Sequence, residues 1–276
     1  MKKITILISL LLILMVNLVA YSADNRGLAV NIPQMVLVNG GSFQMGDTFG
    51  DGYDWEKPVR QVTLTNDFYI GKYEVTQKEY KSLMETNPSS FSGDNLPVDN
   101  VTWFDAIKYC NTLSRKENLA IAYNENTGDL LDLNGNVTTD ITQVKGYRLP
   151  IEAEWEYAEK GGNKSRDYKY SGSNNIDEVA WYKGSKKTHE VGLKKANELG
   201  LYDMSGNVWE WCTDWYGRYK LSSLTNPYIL YNSAYQRVLR GGSWLDNGCY
   251  ARVSFRYSKI PSSSDNSLGF RIVRNK

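Results

Sequence analysis

Apolar and polar residues alternate with period two in several short runs and recur at helical spacing in three longer ones. That pattern predicts a mixed domain of strands and helices. Residues 35–38 (Met-Val-Leu-Val) and 42–45 flank Asn39-Gly40-Gly41 and read as a hairpin. A polar, acidic loop over 46–58 follows, then strands over 59–64 and 68–71. Thr76 with Glu79 forms a capping box ahead of Tyr80, Leu83 and Met84, and Asn87-Pro88 closes that helix. A second helix starts at Thr102 with Asp105 three residues on, and Trp103, Ala106, Ile107, Cys110 and Leu113 form its buried stripe. A third follows Arg148-Leu149-Pro150, with Pro150 at the first helical position, Ile151, Trp155 and Ala158 as its apolar face, and Gly161-Gly162 as its end. Residues 123–146 read as a hairpin insertion. Asp132-Leu133-Asn134-Gly135-Asn136 starts like a calcium loop, but Gln143 stands where the last acidic ligand belongs, so it reads as a turn. Beyond Gly162 the chain is strands and irregular loops, with no repeat of fixed period.

The first residues have a separate pattern. A basic start, an apolar run over 4–16 and Ala20-Tyr21-Ser22 are the three parts of a secretory signal peptide. A membrane span needs about 20 apolar residues, and Asn17 and the polar 21–24 end interrupt this one. The expected organisation is a signal peptide over 1–22, a short tether over 23–34 and one large domain over 35–276. The mature protein is expected to be exported, to the periplasm, the cell surface or the exterior. No cysteine adjoins the cut, so no lipid anchor is expected, and no integral membrane segment remains after cleavage.

Charge and composition narrow the function classes. The 32 basic residues less Lys2 and Lys3 face 31 acidic ones, a balance that gives no electrostatic case for nucleic acid or anionic membrane. Cys110, Cys212 and Cys249 are too few for a disulfide framework, and the odd number leaves at least one thiol free. Cys110 is expected in the core. The single histidine, His189, lies in a polar Lys-Lys-Thr-His-Glu loop and is expected to face solvent; alone it excludes any multi-imidazole metal site. Ser205 and Ser243 have no neighbouring base for nucleophilic chemistry. The 20 tyrosines and 8 tryptophans suit loop packing and binding surfaces alike.

Several blocks together carry a family resemblance. They are Gly-Gly-Ser-Phe-Gln-Met-Gly (40–46), Glu-Lys-Pro-Val (56–59), Tyr-Glu-Val-Thr-Gln-Lys-Glu-Tyr (73–80), Pro-Val-Asp-Asn-Val-Thr-Trp (97–103) and Tyr-Arg-Leu-Pro-Ile-Glu-Ala-Glu-Trp-Glu-Tyr-Ala (147–158). Asn-Glu-Leu-Gly-Leu-Tyr-Asp-Met-Ser-Gly-Asn-Val-Trp-Glu-Trp (197–211), Arg-Gly-Gly-Ser-Trp (240–244) and Gly-Phe-Arg (269–271) complete the series. In this order they resemble the formylglycine-generating, sulfatase-modifying factor domain family over residues 35–273. The resemblance implies a single α+β domain, low in regular secondary structure and related to the C-type lectin fold. It also implies a structural calcium site on the Asp203 side chain, the Gly206 and Val208 carbonyls and the Glu210 carboxylate, a hard oxygen set that suits Ca²⁺. On the residues alone, an ion pair from Glu210 to Arg240, Arg252 or Arg271 serves equally well. A second family calcium site has no clear counterpart.

At the catalytic centre the chain departs from the family. Catalytic members bind copper(I) through two cysteines and oxidise a substrate cysteine to an aldehyde. Asp246 and Ala251 occupy those two positions here, beside the matching Ser243 and Trp244, and neither offers the soft sulfur that copper(I) favours. Cys249 lies between them and would need a partner, of which Cys212 is the one to consider. Copper is therefore not expected, and neither is iron chemistry. The segment 244–270 instead interleaves framework residues with Asn, Ser, Asp and Tyr, a composition suited to adaptable contacts. It also resembles the variable ligand-display proteins that share this fold. Trp244, Asp246, Asn247, Tyr250 and Tyr257 are the candidate contacts for a protein, peptide or glycan; Arg252, Arg256 and Arg271 read as clamps for buried carboxylates. The expected function is a non-catalytic, exported binding module. The alternatives are a copper-dependent formylglycine-generating oxidase and a structural envelope protein.

Overall fold

A computed structural model describes residues 30–230 and 235–276. The expected signal peptide and the first part of the tether, 23–29, lie outside the described residues. Among the described residues no helix is long and apolar enough to cross a membrane.

Among the described residues, ten short strands form three sheets. β1 (Met35–Val38), β4 (Phe68–Gly71) and β10 (Val273–Asn275) make the first, in the order β1-β4-β10. β2 (Gly41–Met45), β3 (Arg60–Leu64) and β6 (Leu224–Thr225) make the second. β5 (Trp209–Trp215), β7 (Arg237–Arg240), β8 (Arg256–Lys259) and β9 (Leu268–Gly269) make the third, in the order β8-β7-β5-β9. The expected hairpin over 35–45 does not form. Both strands exist, but β1 pairs with β4 and β2 with β3. The chain switches sheets at Gly40, whose N–H donates to the Asp67 carboxylate (3.0 Å) and whose Cα lies so near the Leu64 carbonyl that a Cβ would stand 2.7 Å from it.

The helices α1 (Gln77–Met84) and α2 (Trp103–Lys116) begin where their capping boxes predict. In both, the Thr hydroxyl accepts from the backbone N–H three residues on, and that residue's carboxylate accepts in return. α1 ends at Glu85 in a left-handed conformation. α3 (Glu152–Glu159) starts two residues after Pro150, because Ile151 is extended and serves as N-cap. The Pro150 carbonyl accepts instead from Thr213 of β5 (2.8 Å). The 123–146 insertion holds two antiparallel bridges, and Asp132 Oδ1 accepts from the N–H groups of Asn134 and Asn136, which makes the segment a turn.

The core is built around α3, and here the helix pattern misleads. Every residue of α3 is buried, four of the eight being glutamate. Its polar face meets guanidinium groups rather than water. Arg148 holds Glu154, Arg240 holds Glu156 and Arg256 holds Glu152, while Arg252 and Arg271 hold Glu56 and Glu210 elsewhere. The shortest contacts are 2.5–2.8 Å, and four of the five pairs are bidentate, whereas Arg240 reaches Glu156 through one nitrogen. Such pairs gain little net stability over an apolar packing, because desolvating both charges offsets their attraction. They fix which element lies against which. Trp103, Trp155 and Trp211 are fully buried and direct their indole N–H groups to the Cys212 carbonyl, Glu210 and the Val101 carbonyl.

Candidate ligand-binding face

β7 ends at Arg240, and two left-handed glycines, Gly241 and Gly242, turn the chain back. A Cβ on Gly242 would stand 2.9 Å from the Tyr250 carbonyl, so glycine is what lets the 3-10 turn Gly248–Ala251 lie against this corner. Ser243 follows, buried, with its hydroxyl on Asp246 Oδ2. Trp244 is also buried. Its indole donates to the Asn266 carbonyl (2.9 Å) and its ring meets Phe91 edge-on.

Beside this corner opens a cleft of about 230 Å³ lined by Trp209, Leu245, Asp246, Tyr250, Tyr257, Lys259 and Ser267. Asp246, Tyr250 and Tyr257 thus come together as expected. Trp244 packs behind them as framework, and Asn247 is exposed outside the lining, its carbonyl accepting from Tyr250 N–H. Trp209, Leu245, Lys259 and Ser267 join the site without having been singled out. Trp209 stands in a motif that reads as framework, yet its ring lies 5.5 Å from that of Tyr257. Leu245, half exposed, carried the one available signal, a large apolar residue among polar neighbours. The Asp246 carboxyl is held above its usual range by burial, which outweighs the hydrogen bonds it accepts from Ser243 and Trp209.

The three thiols do not assemble. Cys110 and Cys212 are buried, Cys249 is exposed, and all three are free. Burial pushes the first two thiols well up, which disfavours the thiolate that copper(I) would need. Ala251 is buried, and its carbonyl accepts from Ser205 Oγ (2.9 Å). His189 is not the solvent-facing residue its polar loop suggests. It is partly buried and stacks on Trp181 with ring centroids 3.7 Å apart, and Lys194 covers the same indole at 4.2 Å.

Asp203, Gly206, Val208 and Glu210 lie in a turn closed by left-handed Asp203, Asn207 and Gly206. Only glycine fits at 206, where a Cβ would stand 2.3 Å from the Trp181 carbonyl. Glu210 has its arginine. Arg271 donates to Oε2 (2.6 Å) and Oε1 (2.7 Å), and Trp155 also donates to Oε2 (2.6 Å). Arg240 and Arg252 serve other carboxylates. The donor set still fits a hard cation. Asp203 Oδ1 is buried without a hydrogen-bond partner, while Oδ2 accepts from Gly192 N–H. Glu74, Asp203 and Glu210 interact electrostatically around the one guanidinium of Arg271. Burial and the neighbouring carboxylates hold Glu74 well above its usual range, and burial lifts Asp203 to about 6. Among the described residues, this site included, no group of three or more His, Cys, Asp and Glu side chains is arranged to hold a metal, so a cation here would depend on the backbone carbonyls as well.

Known proteins match this chain over nearly its whole length. The sulfatase-modifying factor enzyme 1-like domain matches residues 22–276. A chaperone protein, LppX, of Paenibacillus barcinonensis is 42% identical over 269 residues, covering 88% of this chain and 89% of its own. A formylglycine-generating enzyme of Streptomyces coelicolor is 30% identical over 285 residues, covering 87% of this chain and 88% of its own. Among solved structures, Treponema denticola variable protein 1 superposes with a TM-score of 0.74 at 35% identity, covering 88% of this chain and 95% of the other. With the α+β architecture and the ordered motif blocks, these matches establish that the chain belongs to the family of sulfatase-modifying factor enzyme 1-like domains.

Proposed function

We propose that this protein is an exported, non-catalytic member of its family that binds a polypeptide through the cleft at the former catalytic corner. One observation carries the reading: a carboxylate, Asp246, and a buried methyl group, Ala251, occupy the two positions where the resemblance puts metal-binding sulfur, while the cleft beside them is lined by Trp209, Tyr250 and Tyr257. Oxygen activation by copper(I) needs soft ligands, and the one exposed thiol, Cys249, does not line the cleft. A relative named as a chaperone favours a polypeptide over a glycan as the ligand.

The test is a displayed library of random peptides panned on the intact protein and on a Leu245→Ser, Tyr257→Ser double variant, both residues being about half exposed. Peptides enriched on the wild type are expected to lose at least tenfold in enrichment on the variant. Identical enrichment on both, or none on either, sinks the reading and leaves a structural envelope role. In parallel, a peptide with the family's Cys-x-Pro-x-Arg target is expected to stay unmodified by mass after incubation with the protein, copper(I) and oxygen. Loss of the thiol to an aldehyde would restore the oxidase.

Calcium is proposed as a structural ion held by Asp203, the Gly206 and Val208 carbonyls and Glu210. It would supply the positive charge that three buried carboxylates share with a single arginine. An ion present at 100 times its dissociation constant stabilises by about 2.7 kcal/mol. Thermal unfolding in millimolar calcium is therefore expected several degrees above unfolding in EGTA, with the difference abolished by Asp203→Ala. Superimposable curves for the wild type would remove the ion from the proposal.

A further inference from the structure

The cleft has a composition that selects the charge of what enters it. Trp209 and Tyr257 line it with ring planes inclined by 33° and centroids 5.5 Å apart, Tyr257 half exposed and Trp209 largely buried behind it, and Tyr250 adds a third ring. Aromatic faces are the negative pole of the ring quadrupole and attract a cation within about 6 Å of the centroid. Two lining side chains can carry full charge, Asp246 and Lys259. The Lys259 ammonium is already paired with Asp265, which Ser267 holds in place. Asp246 is held by neutral donors, the Ser243 hydroxyl and the Trp209 side chain. Burial raises its carboxyl despite these bonds and the charge of Lys259, whose direct ion-pair partner is Asp265.

Size and donor type narrow the cation further. At about 230 Å³ the cleft is smaller than the roughly 300–1,000 Å³ that encloses a whole small-molecule ligand. A metal ion of the calcium type takes at least six oxygens, and this cleft offers a single carboxylate among rings. Leu245 and Tyr257, about half exposed, add apolar surface of the kind that covers the methylene stem of a long basic side chain.

We propose that the cleft takes one lysine or arginine side chain of an extended polypeptide, its cationic head on Asp246 and its stem against Trp209 and Tyr257. The proposal rests on the reading of this face as polypeptide-binding and names the side chain it selects. Asp246, at a position where catalytic relatives hold a metal-binding cysteine, thereby becomes the residue that reads charge.

The experiment is a titration of the intact protein, followed through the indole N–H resonance of Trp209, with four blocked amino-acid amides. Lysine and arginine are the cations; norleucine and citrulline are their uncharged counterparts. The cationic amides are expected to shift the Trp209 resonance, compete with each other and bind at least tenfold more tightly than the neutral ones. Asp246→Asn, which can keep the Ser243 hydrogen bond, is expected to remove that discrimination. Equal binding of norleucine and lysine, discrimination that survives Asp246→Asn, or no shift with any amide would overturn the proposal. If no amide shifts Trp209 but the Leu245→Ser, Tyr257→Ser variant still loses its selected peptides, only the preference for a cation falls. If the peptide selection fails as well, the binding reading falls with it.

Discussion

Replacing Arg271 by methionine is expected to cost about 3–5 kcal/mol of stability, or to prevent folding, since breaking a buried pair leaves an uncompensated buried charge. Arg271 is fully buried and donates to both Glu210 oxygens and to the Gly71 and Tyr202 carbonyls. Its loss would strand Glu210 together with Asp203, which Glu210 already raises, and Glu74, which both raise. A whole domain is stable by only about 5–15 kcal/mol, so this one guanidinium decides a large fraction of it. Urea unfolding in EGTA, where no bound cation can substitute, is the measurement. Arg115→Met supplies the contrast: its pair with Glu125 is exposed, and a cost under about 1 kcal/mol is expected. If the two variants unfold at the same urea concentration, the buried network does not hold the core as described.

Stability is expected to fall as pH rises through the neutral range, by about 1.4 kcal/mol per pH unit for each buried acid responsible. Beside Glu74, Glu159 and Asp203, which burial also raises, Asp214 is one of them. It is buried, accepts from the N–H groups of Glu152 (2.8 Å) and Ile229 (3.0 Å), and is lifted to about 7 by burial and then by the charge of Glu152. Asp99, also buried, is lifted to about 6 chiefly by burial. Both folded values lie above the unfolded one near 3.8. Between the two values the unfolded chain has lost the proton and the folded chain keeps it, so the stabilisation is complete below about pH 4 and lost on the way to pH 7. Glu152 works with the opposite sign. Burial would raise it, but Arg256 and Arg240 outweigh burial and hold it down, so its contribution is lost only on acidification below the ordinary carboxylate range. Urea midpoints are therefore expected to decline from pH 5 to pH 8, and Asp214→Asn to flatten the slope by close to one proton. A wild-type profile that is flat or rises over that window would contradict the assignment.

The short-range features were legible because their causes are short-range. The capping boxes at Thr76 and Thr102 place both helix starts, since the residues that satisfy the free N–H groups lie three positions apart. The Asp132 turn follows from one carboxylate and the next two N–H groups it can reach. The motif blocks identify the family, and the substitution of Asp246 and Ala251 for sulfur is visible without coordinates. The hairpin at Gly40 was misread because nothing within those residues says that β1 pairs with β4 and β2 with β3. The pattern places Pro150 two positions too deep, because the cap is made by Ile151 and by Glu154, whose carboxylate accepts from its N–H (3.1 Å).

The sequence by itself determined the family, the helix caps, the lack of cysteine at positions 246 and 251 and part of the segment that lines the cleft. These depend on residue identity and on spacings of a few positions. Only the tertiary structure decided that the polar side of α3 is core, that Glu210 belongs to Arg271, that His189 stacks on Trp181, and that Trp209 and Lys259 share a cleft with Asp246. Their partners lie 6 to 104 residues apart, from Arg148 and Glu154 at the near end to Glu152 and Arg256 at the far end. A buried charge is tolerated only where its counter-charge happens to arrive, and where a side chain arrives is a property of the packed sheets, not of the local pattern.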